Sequence, residues 1–360
     1  MKKILILGGT GPIGTGVTNI LTADENNRVY ITTRQSTHIS GDRVTYVHGN
    51  AHDRSFLYPL LESNKWDAII DCLIYPYFEF QTKVDKFLEN TSQYIYISSA
   101  TVFADSEIPL TEDSTKLADV CTDDSFVYSD VYAITKAHQE RLLQMNSKKN
   151  WTIIRPYITY GTNRLQLGCM EKEYWLYGAL HHRPIVFAHD IADKYVTMTC
   201  CDDVGKCIVA ALGHPSALAN DYNAVCNHHM KWSDILNIYA DAIEKRYNYR
   251  PEVYWTDNYE PYQGGGRFED YKYDRLYNRI FDNHKLTNLI DPSRFVTPKE
   301  GLTKCMNSFM NDPQFKHINY MAEIKKAQVT KHWPTLREFT GIKTKLYVEL
   351  LKLNLIPSSL

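Results

Sequence analysis

Residues 3–16 read KILILGGTGPIGTG, and this stretch decides the fold. Its apolar run is typical of a buried strand, and the residues from 12 onward have the pattern of a helix. Between the two, Gly8 permits a tight turn, Gly11 lets backbone approach a ligand, and Gly14 lets the helix pack closely on the strand. The stretch predicts a dinucleotide pyrophosphate at the helix N-terminus. The alternative is a glycine-rich turn that binds no ligand.

Five further apolar segments in the first half of the chain predict strands, and helical patterns separate several of them. They are RVYITTR (28–34), VTYVHG (44–49), WDAIIDCLI (66–74), QYIYISS (93–99) and WTIIRPY (151–157). Strands that alternate with helices are joined by right-handed crossovers and form a parallel sheet covered on both faces. We therefore predict an α/β protein with a Rossmann-type, doubly wound parallel sheet and a smaller, mixed C-terminal substrate domain.

The pattern becomes less regular after the first 160 residues. We predict a dinucleotide-binding domain over 1–165, a substrate-binding part over 166–325 and a helical C-terminal extension over 326–360. Residues 202–214 and 232–246 have helical patterns, and some of these later segments are expected to return to the first domain. The stretch 257–275 is rich in Gly, Tyr and charge, which predicts a long loop.

Composition excludes several classes of protein. The 360 residues are 44% apolar and 23% charged, with a net charge of -2, so no bulk charge favours nucleic acid or an anionic membrane. The eight Cys form no C-x-x-C pair, which favours free thiols in a reducing cytoplasm. The apolar run before Gly8 is too short for a signal peptide, and no stretch approaches the ~18 apolar residues of a membrane span. We expect a cytoplasmic enzyme with a small-molecule substrate. The sequence leaves open whether the enzyme forms a homodimer.

The end of the second predicted strand bears on the choice of dinucleotide. NAD sites usually have an acidic residue there, which bonds the ribose 2′-hydroxyl. No Asp or Glu lies between Val29 and His38, and Arg34 stands at the relevant point. An Arg suits a 2′-phosphate, so NADP(H) is favoured and NAD(H) remains open. A solvated Arg at a strand end is the alternative.

Three residues in the right order predict a catalytic site. The fifth strand runs into SSATVF (98–103), and Tyr132 and Lys136 share one face of the next predicted helix. Hydride transfer at a carbinol carbon needs a proton moved to or from the oxygen. Tyr132 can do this if the charge of Lys136 lowers its pKa from about 10, while Ser99 bonds the substrate oxygen. The alternatives are a strand-end Ser, a core Tyr and a solvated Lys.

With these motifs, the chain resembles the extended short-chain dehydrogenases/reductases of the NAD-dependent epimerase/dehydratase family, which act on nucleotide sugars. The matching motifs are GGTGPIG (8–14), ISSATVF (97–103), YAITK (132–136), IIRPYITYG (153–161) and CCDDVGKCIVAAL (200–212). The resemblance covers residues 1–300 and is more specific in the first 165.

The resemblance implies a set of site residues. The catalytic set is Ser99, Tyr132 and Lys136, and Lys136 also touches the nicotinamide ribose. The adenine contact is expected near Asn50. The predicted cofactor contacts are Gly8, Gly11, Pro12, Ile13, Gly14, Arg34, Asn50, Ala51, Tyr132, Lys136 and Pro156.

The substrate contacts that we predict are Thr101, Arg275 and Arg279. The two Arg lie close in sequence to the Gly264–Gly266 loop, where cations suit a diphosphate. A solvated charged helix is the alternative. The paired His at 181–182 and at 228–229 have no third ligand at metal spacing, so no metal site is expected.

Two departures from the family pattern matter. Ala100 and Thr101 follow Ser99 where sugar dehydratases carry an acidic pair, which argues against a dehydratase. Residues 71–78 read DCLIYPYF where the family often has a His-x-Ala-Ala-like run. We therefore predict an NAD(P)-dependent oxidoreductase or epimerase acting on a nucleotide-activated sugar, and Arg34 slightly favours a reductase. The alternative is a redox-sensing regulator that binds dinucleotide without turnover.

Overall fold

The computed structural model of the chain describes residues 1–264, 268–339, 341–353 and 355. Gly265 and Gly266 of the predicted glycine loop lie outside the described residues, as do Thr340, Asn354 and residues 356–360 of the predicted C-terminal extension. The chain divides into two compact units. The first contains residues 1–161, 196–229 and 279–301, and the second contains 162–195, 230–278 and 302–360.

The strands are β1 Lys2–Leu7, β2 Asn27–Thr33, β3 Val44–His48, β4 Ala68–Asp71, β5 Tyr94–Ile97, β6 Trp151–Pro156, β7 Ile158–Tyr160, β8 Ile185–Ala188, β9 Tyr195–Val196, β10 Met198–Cys200, β11 Asn220–Ala224, β12 Met230–Lys231 and β13 Val253–Thr256. The α-helices are α1 Pro12–Ala23, α2 Arg54–Glu62, α3 Tyr77–Gln81, α4 Val84–Glu89, α5 Leu117–Val120, α6 Asp124–Val127, α7 Tyr132–Met145, α8 Lys172–Leu180, α9 His189–Ala192, α10 Cys201–Ala211, α11 Trp232–Tyr247, α12 Phe268–Asp270, α13 Pro298–Asn311, α14 Tyr320–Thr330 and α15 Ile342–Lys352. Within the described residues, no helix has both the length and the apolar character needed to span a membrane.

A seven-stranded sheet forms the centre of the first unit, in the order β11-β6-β5-β4-β1-β2-β3. Every neighbouring pair is parallel, as in the pairing of Ile4 with both Val29 and Ala68. The order reverses beside β1, so the turn that follows β1 lies at the switch point where such sheets bind ligands. The predicted Rossmann-type fold is confirmed.

Both faces of this sheet are apolar around its central strands, which explains why β1, β4 and β5 are nearly continuous apolar runs in the sequence. One face packs against α1 and α10, and the other against α2, α4 and α7. The strand residues of the first face include Ile4, Ile6, Val29, Ile31, Ile70, Ile95 and Ile154, and those of the second include Leu5, Leu7, Ile69, Tyr94, Tyr96 and Ile153. Each such side chain contributes about 1.5–3 kcal/mol when fully buried.

The seventh strand, β11, was not predicted from the sequence. It pairs with β6 at the edge of the sheet, with Ile154 opposite Tyr222. Its sequence, NDYNA, is too polar to indicate a buried strand. The polar side chain of Asp221 is instead held by Arg155 and Lys285, at 2.6 Å and 2.7 Å.

The second unit is smaller and mixed. It contains the parallel pair β8–β13, and Trp175 of α8 stacks on Tyr239 of α11 at 4.6 Å. In the last part of the chain, α14 and α15 share an apolar cluster of Ile324, Phe339 and Val348 with Leu351. The predicted loop over 257–275 was wrong for its end, because 268–275 forms α12 and a π-helical turn. The predicted domain limits, at 165 and 325, stay a prediction.

Candidate active site

The glycine loop connects β1 to α1 with the geometry that its sequence requires. Gly8 has φ +71°, a backbone conformation that L side chains rarely adopt. A Cβ on Gly14 would lie 2.5 Å from the Cα of Gly9, so only glycine allows this contact between helix and loop. At the same turn, the Gly8 amide donates to the hydroxyl of Thr32 at the end of β2, at 3.2 Å.

The side of the loop at Gly11 is open. A Cβ built on Gly11 would meet a single atom within 4 Å, the carbonyl oxygen of Gly8 at 3.7 Å. Gly11 is the N-cap of α1 and Pro12 begins the helix, so the amides of Ile13 and Gly14 belong to a first turn that supplies no acceptor of its own. Open space beside free helix amides fits a dinucleotide pyrophosphate.

Three predicted cofactor contacts lie at the ends of β2 and β3. Arg34 directly follows β2 and is exposed. Asn50 is exposed and accepts a hydrogen bond from the His52 amide, at 3.2 Å. Ala51 is buried, and its carbonyl accepts from the ammonium of Lys83, at 3.2 Å. Their contact with a dinucleotide stays a prediction.

Ser99 follows β5 in extended backbone and caps a short 3-10 turn. Its hydroxyl oxygen accepts from the hydroxyl of Thr101 at 2.9 Å and from the Thr101 amide at 3.3 Å. Thr101 is thus placed to orient Ser99, which the sequence did not indicate. Pro156, the remaining predicted cofactor contact, ends the adjacent strand β6 and is buried.

Helix α7 begins at Tyr132 and buries a stripe that includes polar side chains. Lys136 is only 2% exposed, and its ammonium donates to the carbonyl of Ile97 at the end of β5, at 2.8 Å. The same ammonium lies 4.4 Å from the ring centre of Tyr96 and 5.8 Å from that of Tyr132. Burial lowers the pKa of Lys136 to about 8. The Lys136 ammonium therefore lies at Ile97, two residues before Ser99, with the Tyr132 ring nearby. The catalytic roles of these residues stay a prediction.

A buried ionic network supports this end of the sheet. Arg155 of β6 is fully buried and donates to both carboxylate oxygens of Glu140, at 2.7 Å and 2.8 Å. Burial would raise the pKa of Glu140, but Arg155 holds it below its usual range. The hydroxyl of Ser98 donates to the same carboxylate, at 2.5 Å. The network connects β5, β6 and α7. In the sequence, the only sign of it is that a Glu lies four residues after Lys136, one turn further along the same helix.

The two Arg predicted at a substrate diphosphate are both buried. Arg279 is 1% exposed and donates to the carbonyls of Phe103 and Ala104, at 3.1 Å and 3.0 Å. Arg275, in the other unit, is 7% exposed, pairs with Asp274 and donates to the Gly168 carbonyl at 3.1 Å. Both guanidinium groups are thus held by protein acceptors, and their contact with a diphosphate stays a prediction.

Comparison with known proteins gives a family and a fold. The family model described as the NAD dependent epimerase/dehydratase family matches residues 4–224. No curated protein sequence matches the chain.

Solved structures resemble the chain over most of its length. The UDP-glucuronic acid 4-epimerase from Bacillus cereus in complex with NAD is 18% identical, with TM-score 0.64, and the match covers 85% of this chain and 99% of that one. WbmH from Bordetella bronchiseptica in complex with NAD+ is 14% identical, with TM-score 0.68 and coverage of 87% and 100%. The dTDP-glucose 4,6-dehydratase from Bacillus anthracis in complex with NAD is 14% identical, with TM-score 0.66 and coverage of 87% and 97%.

Proposed function

Because the chain belongs to the NAD-dependent epimerase/dehydratase family, we propose that it is an NAD(P)-dependent oxidoreductase or epimerase acting on a nucleotide-activated sugar. The observation that carries this proposal is the position of Lys136, whose buried ammonium lies 2.8 Å from the Ile97 carbonyl oxygen and 5.8 Å from the centre of the Tyr132 ring. The substrate class is supported by the similar structures of a UDP-glucuronic acid 4-epimerase and a dTDP-glucose 4,6-dehydratase.

The three catalytic residues have separate tasks. Oxidation of a sugar carbinol removes a hydride and a hydroxyl proton, and a bound dinucleotide supplies the hydride acceptor. Tyr132 takes the proton at its phenolic oxygen, and the nearby ammonium of Lys136 favours the phenolate form. Ser99 hydrogen-bonds the sugar oxygen and holds it within reach of Tyr132. Thr101 keeps the Ser99 hydroxyl in orientation through the 2.9 Å hydrogen bond between them.

The cofactor is a nicotinamide dinucleotide held by the glycine loop, and NAD(H) is our first choice. The similar structures named above contain NAD, which does not support the preference for NADP(H) that Arg34 indicates from the sequence. Arg34 is exposed directly after β2, the strand end at which such folds usually contact the adenosine ribose. The missing acidic pair after Ser99 still favours an epimerase or a reductase over a dehydratase.

Turnover of a panel of UDP- and dTDP-hexoses, followed by NMR of the sugar protons, tests the proposal. Changing Tyr132 to Phe removes the proton acceptor, so turnover should fall at least ~100-fold while dinucleotide binding persists. Tyr128→Phe is the matched control, since Tyr128 is 87% exposed and should leave turnover unchanged. Equal turnover in wild type and Tyr132→Phe would remove Tyr132 from the mechanism. Dinucleotide binding without turnover of any sugar would favour a regulator.

A further inference from the structure

Asp71 is a fully buried carboxylate close to the catalytic lysine. It ends β4, and its Oδ2 accepts from the hydroxyl of Tyr94 at 2.7 Å. Its Oδ1 accepts from the amide of Leu73 at 3.0 Å and from the hydroxyl of Tyr75 at 3.3 Å. Burial raises the pKa of Asp71, and these three donors oppose that effect because they bond the charged form. A buried charge held in this way needs a counter-charge.

Lys136 supplies a cation close to Asp71, and its charge lowers the pKa of that carboxyl against the effect of burial. Leu73, whose amide bonds Asp71, offers its carbonyl to the Lys136 ammonium at 3.5 Å. Asp71 is also paired in the sheet with Tyr96, whose ring centre lies 4.4 Å from that ammonium. The carboxylate and the ammonium are therefore linked through one residue of the turn after β4, and their attraction raises the pKa of Lys136 against the effect of burial.

The other titratable groups around Lys136 provide little negative charge to balance its ammonium. Burial raises the pKa of the Cys72 thiol to about 12 and that of the Tyr96 phenol well above 10, so both are neutral near pH 7. Glu140, one turn further along α7, is engaged on both oxygens by Arg155. Tyr132 is the group on which Lys136 acts. Among these neighbours, the carboxylate that balances the ammonium is that of Asp71.

We propose that Asp71 is a positioning residue for catalysis, and that its buried carboxylate keeps Lys136 protonated while it holds residues 71–75 against the ammonium. The inference rests on the proposed function in one respect. The charge of Lys136 matters for catalysis because a neutral Lys136 would no longer favour the phenolate form of Tyr132. It also gives a role to the segment DCLIYPYF, which departs from the family pattern. The same turn borders the cofactor loop, since a Cβ on Gly8 would lie 2.7 Å from the Leu73 side chain.

The ionisation of Lys136 can be measured without substrate or cofactor. Protein labelled with [13Cε]-lysine is titrated by NMR, and the Lys136 signal is assigned by its loss in Lys136→Arg. We expect a midpoint of about 8 in the wild type. In Asp71→Asn it should fall by at least ~1 unit, the shift typical of losing an opposite charge at short range. Asp67→Asn, at the exposed start of the same strand segment, is the matched control and should not move it.

A second measurement keeps the proposal testable if Asp71→Asn does not fold. Coupling between two titrating groups is reciprocal, so Lys136→Met should raise the titration midpoint of Asp71, read with [13Cγ]-aspartate, by a similar amount. An unchanged Lys136 midpoint in folded Asp71→Asn, or an unchanged Asp71 midpoint in Lys136→Met, would overturn the proposal. Absence of sugar turnover would contradict the proposed function and leave this result unaffected.

Discussion

Substitutions of Gly11 and Gly14 give a prediction that separates an effect on stability from an effect on cofactor binding. Gly11→Ala and Gly14→Ala add the same methyl group within one turn of chain. At Gly14 the new Cβ would lie 2.5 Å from the Cα of Gly9 and 2.7 Å from its carbonyl carbon and oxygen. At Gly11 it would meet only the Gly8 carbonyl oxygen, at an ordinary contact distance of 3.7 Å.

The expected free energies of unfolding differ accordingly. Backbone atoms cannot rotate away as a side chain can, so Gly14→Ala should lose at least ~1–3 kcal/mol, the usual cost of overpacking. Gly11 has φ -77° and ψ 171°, which alanine adopts without strain. Gly11→Ala should therefore stay within about 1 kcal/mol of the wild type, since the gain from a stiffer unfolded chain offsets the weaker N-cap.

Gly11→Ala should weaken NADH binding even though it hardly changes the free energy of unfolding. The methyl group of Gly11→Ala enters the open side of the loop, where we expect the pyrophosphate, so NADH affinity should fall at least ~10-fold, or about 1.4 kcal/mol. Urea unfolding followed by circular dichroism gives the stability, and NADH fluorescence enhancement gives the affinity. A stable Gly11→Ala protein with wild-type NADH affinity would refute the pyrophosphate position. A Gly14→Ala protein of unchanged stability would refute the packing argument.

Two further predictions concern charge. Arg34→Ala should weaken NADP(H) binding at least ~10-fold and leave NAD(H) binding within ~2-fold, because NADP(H) carries a phosphate at the ribose 2′-position, where NAD(H) has a neutral hydroxyl. Titration calorimetry measures both affinities, and equal losses would contradict this position for Arg34. Glu140→Gln should lower the free energy of unfolding by about 3 kcal/mol, because it leaves the buried Arg155 without its bidentate partner. The control Glu62→Gln, from an exposed pair with Lys86, should cost less than ~1 kcal/mol, and similar losses in both variants would contradict the ionic network.

The sequence predicts the parallel sheet because its central strands β1, β4, β5 and β6 are buried on both faces and must be largely apolar. This reasoning does not apply to β11, the last strand of the seven-stranded sheet in chain order. Its Asp221 is tolerated in the sheet because it bonds to Arg155 and Lys285. These partners come from distant parts of the chain, and no local pattern reveals them.

Contacts between residues that are distant in the chain also limit how much of the site the sequence can predict. Ser99, Tyr132 and Lys136 stand in a recognisable order, so the sequence indicates them directly. Asp71 lies at the end of an apolar run, where an acidic residue ordinarily indicates a solvated strand end. Only the packing of β4 against β5 and α7 shows that it is buried and held by Tyr75 and Tyr94.

We infer that the glycine loop holds a nicotinamide dinucleotide beside Tyr132. The most direct measurement is mass spectrometry of the nucleotide released on denaturation, after the purified protein has been incubated with NAD+, NADH, NADP+ and NADPH and washed. We expect a nicotinamide dinucleotide in stoichiometric amounts from the wild type and from Tyr132→Phe, and clearly less from Gly11→Ala. Folded wild-type protein that releases no nicotinamide dinucleotide would contradict it.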